Sequence, residues 1–239
     1  MVSEVTSMFN RMHAIIIGPG LGRCPLVMRA TAIIVQKAME ASLPLVLDAD
    51  ALHILTLKEY RYILNSEKPK KLAVITPNIV EYNRLMKSFE NISPDEKALV
   101  REAYRDVIVV EKGFFDAIYF LSEALDTKDD PSHLFPSMIC KEDGGLKRSG
   151  GLGDILSGAL GTHLAWNSIL NSKEDDIDIL NALRIVSCWS ASCLTKKATS
   201  AAFERKRRAM QAPDVLEEIG VVFDKSVTPL LAHETTHTV

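Results

Sequence analysis

The run GGLKRSGGLGDILSGALG, residues 144–161, holds seven glycines in eighteen positions and one acid, Asp154, in their midst. Glycine costs roughly 0.5–1 kcal/mol relative to alanine inside regular structure, so such a run needs a local reason. Residues without Cβ let backbone N–H groups converge on an anion, and a helix that follows adds the positive end of its dipole. Asp154 would stand in the first turn of that helix. A carboxylate there can accept a proton from an alcohol while the amides hold the phosphoryl group that the alcohol attacks. Phosphoryl transfer asks for little beyond positioning and charge stabilisation. Lys147 or Arg148 would add a cation over the phosphates. Against this stands a plain structural reading, in which the glycines form a flexible loop and Asp154 is an ordinary first-turn acid.

Other clusters sit at the ends of apolar runs. The glycine stretch is not a P-loop, since no lysine follows as GxxxxGK[ST] requires, and no strand immediately precedes it as a dinucleotide fingerprint would need. HAIIIGPGLGR (13–23) looks closer to that fingerprint, but Arg23 stands where its last glycine belongs and Pro19 removes a donor. A glycine turn at a strand end can still line a ligand crevice, or serve packing alone. In TPNIVEYNRL, Asn78 and Glu81 have capping-box spacing; the same pair could face the strand ends and organise a metal–phosphate unit. VEKGFFDAIY puts Lys112 at a strand end and Asp116 past a tight turn, a surface hairpin when read alone. LVLDADAL places Asp48 and Asp50 at another strand end, one of them expected to cap the next helix. His53, His133 and His163 have no partners at metal-ligand spacing and read as structural.

The elements that must position these groups follow from periodicity. HAIIIG (13–18), LPLVLDA (43–49) and KLAVITP (71–77) are short apolar runs with the look of fully buried strands. Pro25 opens a helix to about Ser42, another runs from Asn78 to about Glu90, and a third lies near 95–106. VIVVEKG and DAIYFLS predict two strands joined at Gly113, and LSEALDTKDDPSHLFPS reads as a polar loop or crossover. From there the spacing predicts helices over 153–170, 175–198, 199–210 and 213–225. Strands alternating with helices imply a mainly parallel sheet covered on both faces.

Composition narrows the function classes. The 239 residues are 47% hydrophobic and 25% charged, with a net charge of −3, which gives no basic footprint for nucleic acid. The consecutive Arg205, Lys206, Arg207 and Arg208 read as a solvated helix face. Cys24, Cys140, Cys188 and Cys193 form no CxxC pair, which suggests neither a disulfide framework nor zinc and suits a reducing compartment. No apolar run reaches the roughly 18 residues of a membrane span. MVSEVTSMFNRM, with Glu4 and one arginine, does not look like a leader, so the cytoplasm is the expected location.

Taken in order, GPGLGR after a strand, LDADAL, TPNxxE, KGxxD and GGxGD at a helix start resemble the NAD(P)H-hydrate dehydratase family, within the ribokinase-like superfamily. The glycine stretch looks like the ATP-using, eukaryotic branch, and the resemblance runs from about His13 to about Lys225. It implies a three-layer ribokinase-like α/β fold in one domain, 1–239, with a core over 12–226 and a disordered tail at 227–239. The implied reaction is repair: hydrated NADH or NADPH is phosphorylated on its ring hydroxyl by ATP, phosphate leaves, and the double bond returns. Asp154 would be the base at that hydroxyl. ATP would be held by Lys112, Gly113, Phe114, Phe115 and Asp116, and by Gly144, Gly145, Leu146, Lys147, Arg148, Ser149, Gly150, Gly151, Leu152 and Gly153. Besides Asp154, Gly22 and the segment Asn78, Ile79, Val80, Glu81, Tyr82, Asn83 and Arg84 would contact the hydrated dinucleotide. Magnesium would bridge the ATP phosphates without a direct protein ligand, Glu81 organising it at one remove. The family also suggests a homo-oligomer.

Only MVSEVTSMFNRM precedes His13, whereas family members carry a further strand–helix region there. The fold is therefore expected to be shortened at its N-terminus, with a sheet edge exposed and part of a pocket wall missing. Two other functions use the same residues. A ribokinase-like kinase for a small alcohol would release a phosphorylated product rather than free phosphate. A non-catalytic nucleotide-binding relative would bind ATP without turnover.

Overall fold

The computed structural model describes residues 1–67, 72–126 and 137–234. β1 (Ile15–Ile17), β2 (Leu45–Leu47), β3 (Ala73–Ile75) and β4 (Val107–Glu111) are built of aliphatic residues and pair in parallel, in chain order. β5 (Asp116–Phe120) turns back antiparallel on β4, and β6 (Met138–Cys140) antiparallel on β5. Successive strand residues point to opposite faces. Leu45, Leu47, Ala73, Ile75, Val107 and Val109 enter one core, whereas Val46, Val74, Ile108 and Val110 enter another.

Strand order explains the layering. Right-handed crossovers between neighbouring parallel strands all land on the same face of the sheet. The connecting helices α2 (Pro25–Glu40), α3 (Asp50–Leu55), α4 (Ile79–Lys87) and α5 (Pro94–Ala103) accordingly share the first core through Met28, Ala32, Leu52, Leu55, Leu85 and Val100. The other face is left for the end of the chain. α7 (Leu152–Leu170) and α8 (Ile177–Lys206) close it with Leu156, Leu160, Leu164, Ile185, Cys188 and Ala191. α9 (Ala212–Glu234) packs on these two helices through Val215, beside Ile155, Ala198 and Ala202. Two short helices complete the set: α1 (Val2–Ser7), which lies against α2, and α6 (Leu121–Asp126) after β5.

Local chemistry starts the helices where the sequence predicts. Pro25 is the first residue of α2, and Asn78 with Glu81 forms both halves of a capping box on α4. Ser93 with Glu96 does the same for α5, and Asp176 caps α8 by accepting from the Asp178 and Ile179 N–H groups. Each such cap is worth about 1 kcal/mol.

Several expectations change. α8 is one helix through Lys206, not two meeting near residue 198, and the Thr195 and Thr199 hydroxyls within it donate to carbonyls four residues back. The stretch 177–209 is also long and apolar enough to cross a membrane by length and composition alone, contrary to the expectation that no apolar run reaches that length. In this fold its Cys188, Ala191, Ala198 and Ala202 are buried against the sheet and neighbouring helices. The polar stretch after β5 begins as α6, while its residues 127–136, including His133, lie outside the described residues; β6 follows them. α9 continues to Glu234, past the expected end at Lys225 and through the first part of the expected tail. β1 is one edge of the sheet, and Ile16 there is 40% exposed.

Candidate functional site

The four parallel strands end on the same side of the molecule, where open α/β sheets bind their ligands. Neighbouring ends are knitted together: the Lys112 N–H donates to the Pro77 carbonyl at 2.8 Å, and Asn78 bridges Lys112 in parallel. At the end of β2 the Asp48 side chain is 3% exposed. One of its oxygens, Oδ1, accepts from Lys112 Nζ at 2.8 Å and from the Ala49 N–H at 2.8 Å. Its other oxygen, Oδ2, accepts from the Ser157 hydroxyl on α7 at 2.7 Å. Neither LDADAL acid caps α3, contrary to the sequence expectation. Asp48 faces inward, and Asp50 faces the β1 loop, taking the Gly22 N–H at 2.9 Å and Arg23 Nε at 3.1 Å.

After β4 the chain makes a tight turn locked by Asp116, which accepts from the Gly113 N–H at 3.0 Å. A Cβ on Gly113 would lie 2.6 Å from the Phe115 carbonyl oxygen, so the turn requires glycine. Lys196 of α8 ties the turn down: its ammonium is 3.2 Å from Asp116 and donates to the Gly113 and Phe114 carbonyls at 2.9 and 2.8 Å. Phe114 is left 72% exposed. Behind the turn, the Cys140 and Cys193 sulfurs meet at 3.5 Å as free thiols, a pairing that their distance in sequence concealed.

The glycine run passes opposite this turn. Gly145 packs so closely on α8 that a Cβ would sit 2.6 Å from the Thr199 carbonyl oxygen. Lys147 donates to the Met210 carbonyl at 2.7 Å, which holds the run against the chain leading into α9. Gly151, at φ 89°, turns the chain into α7. Between the run, the turn and α8 lies a cavity of about 500 Å³. It is lined by Asn78, Lys112, Gly113, Phe114 and Asp116, by Gly144 to Ser149, and by Leu152 and Gly153. Leu156, Thr195, Lys196 and Thr199 complete the wall.

Of the residues singled out from the sequence for ATP, all but Phe115, Gly150 and Gly151 line this cavity. Asp154 does not. It is exposed and borders a second hollow, a groove of about 720 Å³ between α7 and α9, together with Gly151, Trp166, Leu216 and Phe223. The dinucleotide group divides likewise. Asn78 lines the cavity; Glu81 takes the Asn78 N–H at 2.9 Å and stands 4.0 Å from Lys112 Nζ. Ile79, Val80, Asn83 and Arg84 are exposed, whereas Tyr82 packs into the first core, where burial pushes its phenol above the ordinary range. Burial and then the charges of Arg23 and Arg84 hold the His53 imidazole below its ordinary value, with Asp50 opposing.

Sequence reasoning missed Ser157, Thr195, Lys196 and Thr199. The last three share a polar stripe in an alanine-rich helix, at helical spacing, and that was the available signal.

Comparison with known proteins fits this geometry. Residues 1–220 match the sequence model of the family described as NAD(P)H-hydrate dehydratase. A protein of Phaeosphaeria nodorum named ATP-dependent (S)-NAD(P)H-hydrate dehydratase is 32% identical over 96% of this chain and 69% of its own. Proteins of the same name from Neurospora crassa and Saccharomyces cerevisiae are 34% and 31% identical over 92% and 93% of this chain. The match spans 62% of the Neurospora protein's length and 68% of the yeast protein's. Among solved structures, a hypothetical protein of Streptococcus mutans superposes with TM-score 0.63 at 18% identity, over 94% of this chain and 70% of that one. A ribokinase-like superfamily protein of Enterococcus faecalis does so with TM-score 0.60 at 17% identity, over 93% and 66%. The fold is thus ribokinase-like, and by sequence this chain belongs to the NAD(P)H-hydrate dehydratase family.

Proposed function

We propose that this chain uses ATP to return hydrated NADH and NADPH to their reduced, hydride-carrying forms. The γ-phosphoryl group of ATP is transferred to the ring hydroxyl. Phosphate then departs with the C–O bonding pair while the neighbouring carbon gives up a proton, and the ring double bond is restored. A hydroxyl is a poor leaving group and a phosphate a good one, which is what the nucleotide contributes.

The observation that carries the reading is the position of α7's first turn between two hollows. Gly153 lines the polar cavity with Lys112 and Asp116, while the adjacent Asp154 borders the apolar groove. Phosphates on the cavity side would meet backbone N–H groups, the helix dipole and the Lys112 ammonium. An alcohol arriving on the groove side would meet the Asp154 carboxylate. Phe114, exposed at the cavity mouth, suits a base ring. Gly22 and Asn78, in the loops after β1 and β3, and Arg84, in the last turn of α4, suit the dinucleotide.

Magnesium fits as a companion of the nucleotide. Magnesium that accompanies ATP takes most of its ligands from phosphate oxygens and water. Glu81, beside Lys112, is the carboxylate suited to orient that hydration shell, and the ion would supply charge neutralisation on the phosphates. The cytoplasm, where ATP and the reduced dinucleotides meet, suits this chemistry.

The test is absorbance of regenerated reduced nicotinamide when the purified chain meets hydrated NADH, magnesium and ATP. ATP-dependent recovery with release of free phosphate is the expected result. A phosphorylated organic product would establish a kinase instead, and ATP binding without turnover would establish a non-catalytic relative.

A further inference from the structure

Lys112 ends in an ammonium group 3.7 Å from where a Cβ on Gly153 would lie, so it stands at the last glycine before α7. Free in solution, its four-carbon side chain would sample many rotamers. Here one anchor fixes it. Asp48 accepts from the ammonium at 2.8 Å, with Glu81 farther off at 4.0 Å, and two of its three N–H donors have no hydrogen-bond partner among the described residues. The lysine is 22% exposed and its anchor 3%.

The anchor is itself over-determined. Both Asp48 oxygens are engaged, one of them by Ser157 on α7. Ala49, next in the chain, is held at φ 48°, and a Cβ on Gly18 would come within 1.7 Å of the Asp48 carbonyl oxygen. Strained backbone of this kind persists only where the surroundings enforce it. Stability alone gives a weak reason for it, because a buried ion pair is often no better than apolar residues of the same volume. A carboxylate so enclosed is also unable to reach a substrate proton.

We infer that Asp48 is a positioning residue that aims the Lys112 ammonium at the terminal phosphates of a nucleotide bound beside Gly153. Through Ser157 it fixes that ammonium relative to the start of α7, so the cation and the backbone cradle keep one spacing. The inference rests on the nucleotide reading of the cavity.

Equilibrium dialysis against magnesium–ATP and against adenosine, which lacks the phosphates, tests it on Asp48→Asn, Lys112→Met and the doubly substituted chain. Each single substitution is expected to weaken ATP binding about tenfold, the scale of one charge-assisted contact, and to leave adenosine within about twofold. The double substitution should bind ATP no worse than Lys112→Met, since both changes remove one interaction. Asp48→Glu, which keeps the charge, should recover part of the loss. Unchanged ATP affinity in Asp48→Asn overturns the inference, as do losses that multiply in the double variant. Loss of adenosine binding along with ATP makes Asp48 structural and overturns it too. An unsubstituted chain that binds neither ligand removes the nucleotide reading itself, a distinct result.

Discussion

The two hollows on either side of α7's first turn differ in size and in what their walls can recognise. The smaller, about 500 Å³, gathers Lys112, Asp116 and Lys196 with the glycine run. The larger, about 720 Å³, is walled by Trp166, Leu216, Ile219 and Phe223, with Asp154 at its border. Trp166 leans on His163 and Phe223 at ring separations of 5.4 and 5.6 Å. A phosphorylated ligand must have its charge met by donors, so the smaller hollow suits it despite its size. The comparison also separates two jobs that the sequence presents as one motif. Neighbouring residues on a helix point about 100° apart, and that angle sends Gly153 and Asp154 to different sides.

The strongest way to break this division is Asp154→Asn. It is expected to lower ATP-dependent turnover by about a thousandfold, within the range for losing a general base, while ATP affinity stays within about twofold. The absorbance assay and equilibrium dialysis read the two quantities separately. Near-normal turnover would remove Asp154 from the chemistry.

Next in size, Gly153→Val should weaken ATP binding at least about tenfold while the melting temperature moves by only about two degrees. The contrast is with Gly145→Ala. At Gly153 the nearest atoms to an added Cβ are 3.6 and 3.7 Å away, so the protein itself has room; at Gly145 the Thr199 carbonyl oxygen is at 2.6 Å and Phe203 Cβ at 2.8 Å. Gly145→Ala should therefore destabilise the fold by about 1–3 kcal/mol in thermal unfolding.

A smaller effect is expected in the groove. Trp166 is half exposed, so Trp166→Ala should cost about 1–2 kcal/mol, less than for a fully buried ring, and leave ATP affinity unchanged. A fall in ATP affinity would show that the two hollows act as one.

The smallest effect is acid sensitivity of the groove wall. Burial holds the His163 imidazole below its ordinary value of 6.5. The unfolded chain then binds the proton more readily, so stability declines as pH falls through about 6.5 toward the folded value. Melting curves between pH 7 and 5 should fall less steeply in His163→Gln. Equal slopes would exclude this histidine as a source of the pH dependence.

How much of this was legible in the sequence depended on whether the cause was local. The Asn78–Glu81 and Ser93–Glu96 caps form within one helical turn, and the first is visible in TPNIVE as spacing alone. The glycine run stood out by its density, of which close packing explains only part: Gly145 lies against Thr199, whereas Gly150 has open space around it. β6 was hidden because three residues, Met138–Cys140, carry too little pattern to stand against the polar stretch before them. Asp48 and Asp50 were visible at a strand end, one of them expected to cap α3, but neither does, and the Asp48 partners come from β4 and α7. The side that Asp154 faces is a matter of helix phase at a glycine start, which composition does not set.

The Asp48 carboxylate joins Lys112 and Ser157, 64 and 109 residues further along the chain. Contacts of such long sequence separation are formed late and slowly, because loop-closure entropy is lost before the contact can compensate for it. A growing chain therefore cannot finish the proposed phosphate cradle until α7 has been made and docked on the sheet. Once it has, a nucleotide that binds only the finished form adds RT ln(1 + [L]/Kd) to its stability. The cell's ATP concentration then becomes a term in how completely this protein folds.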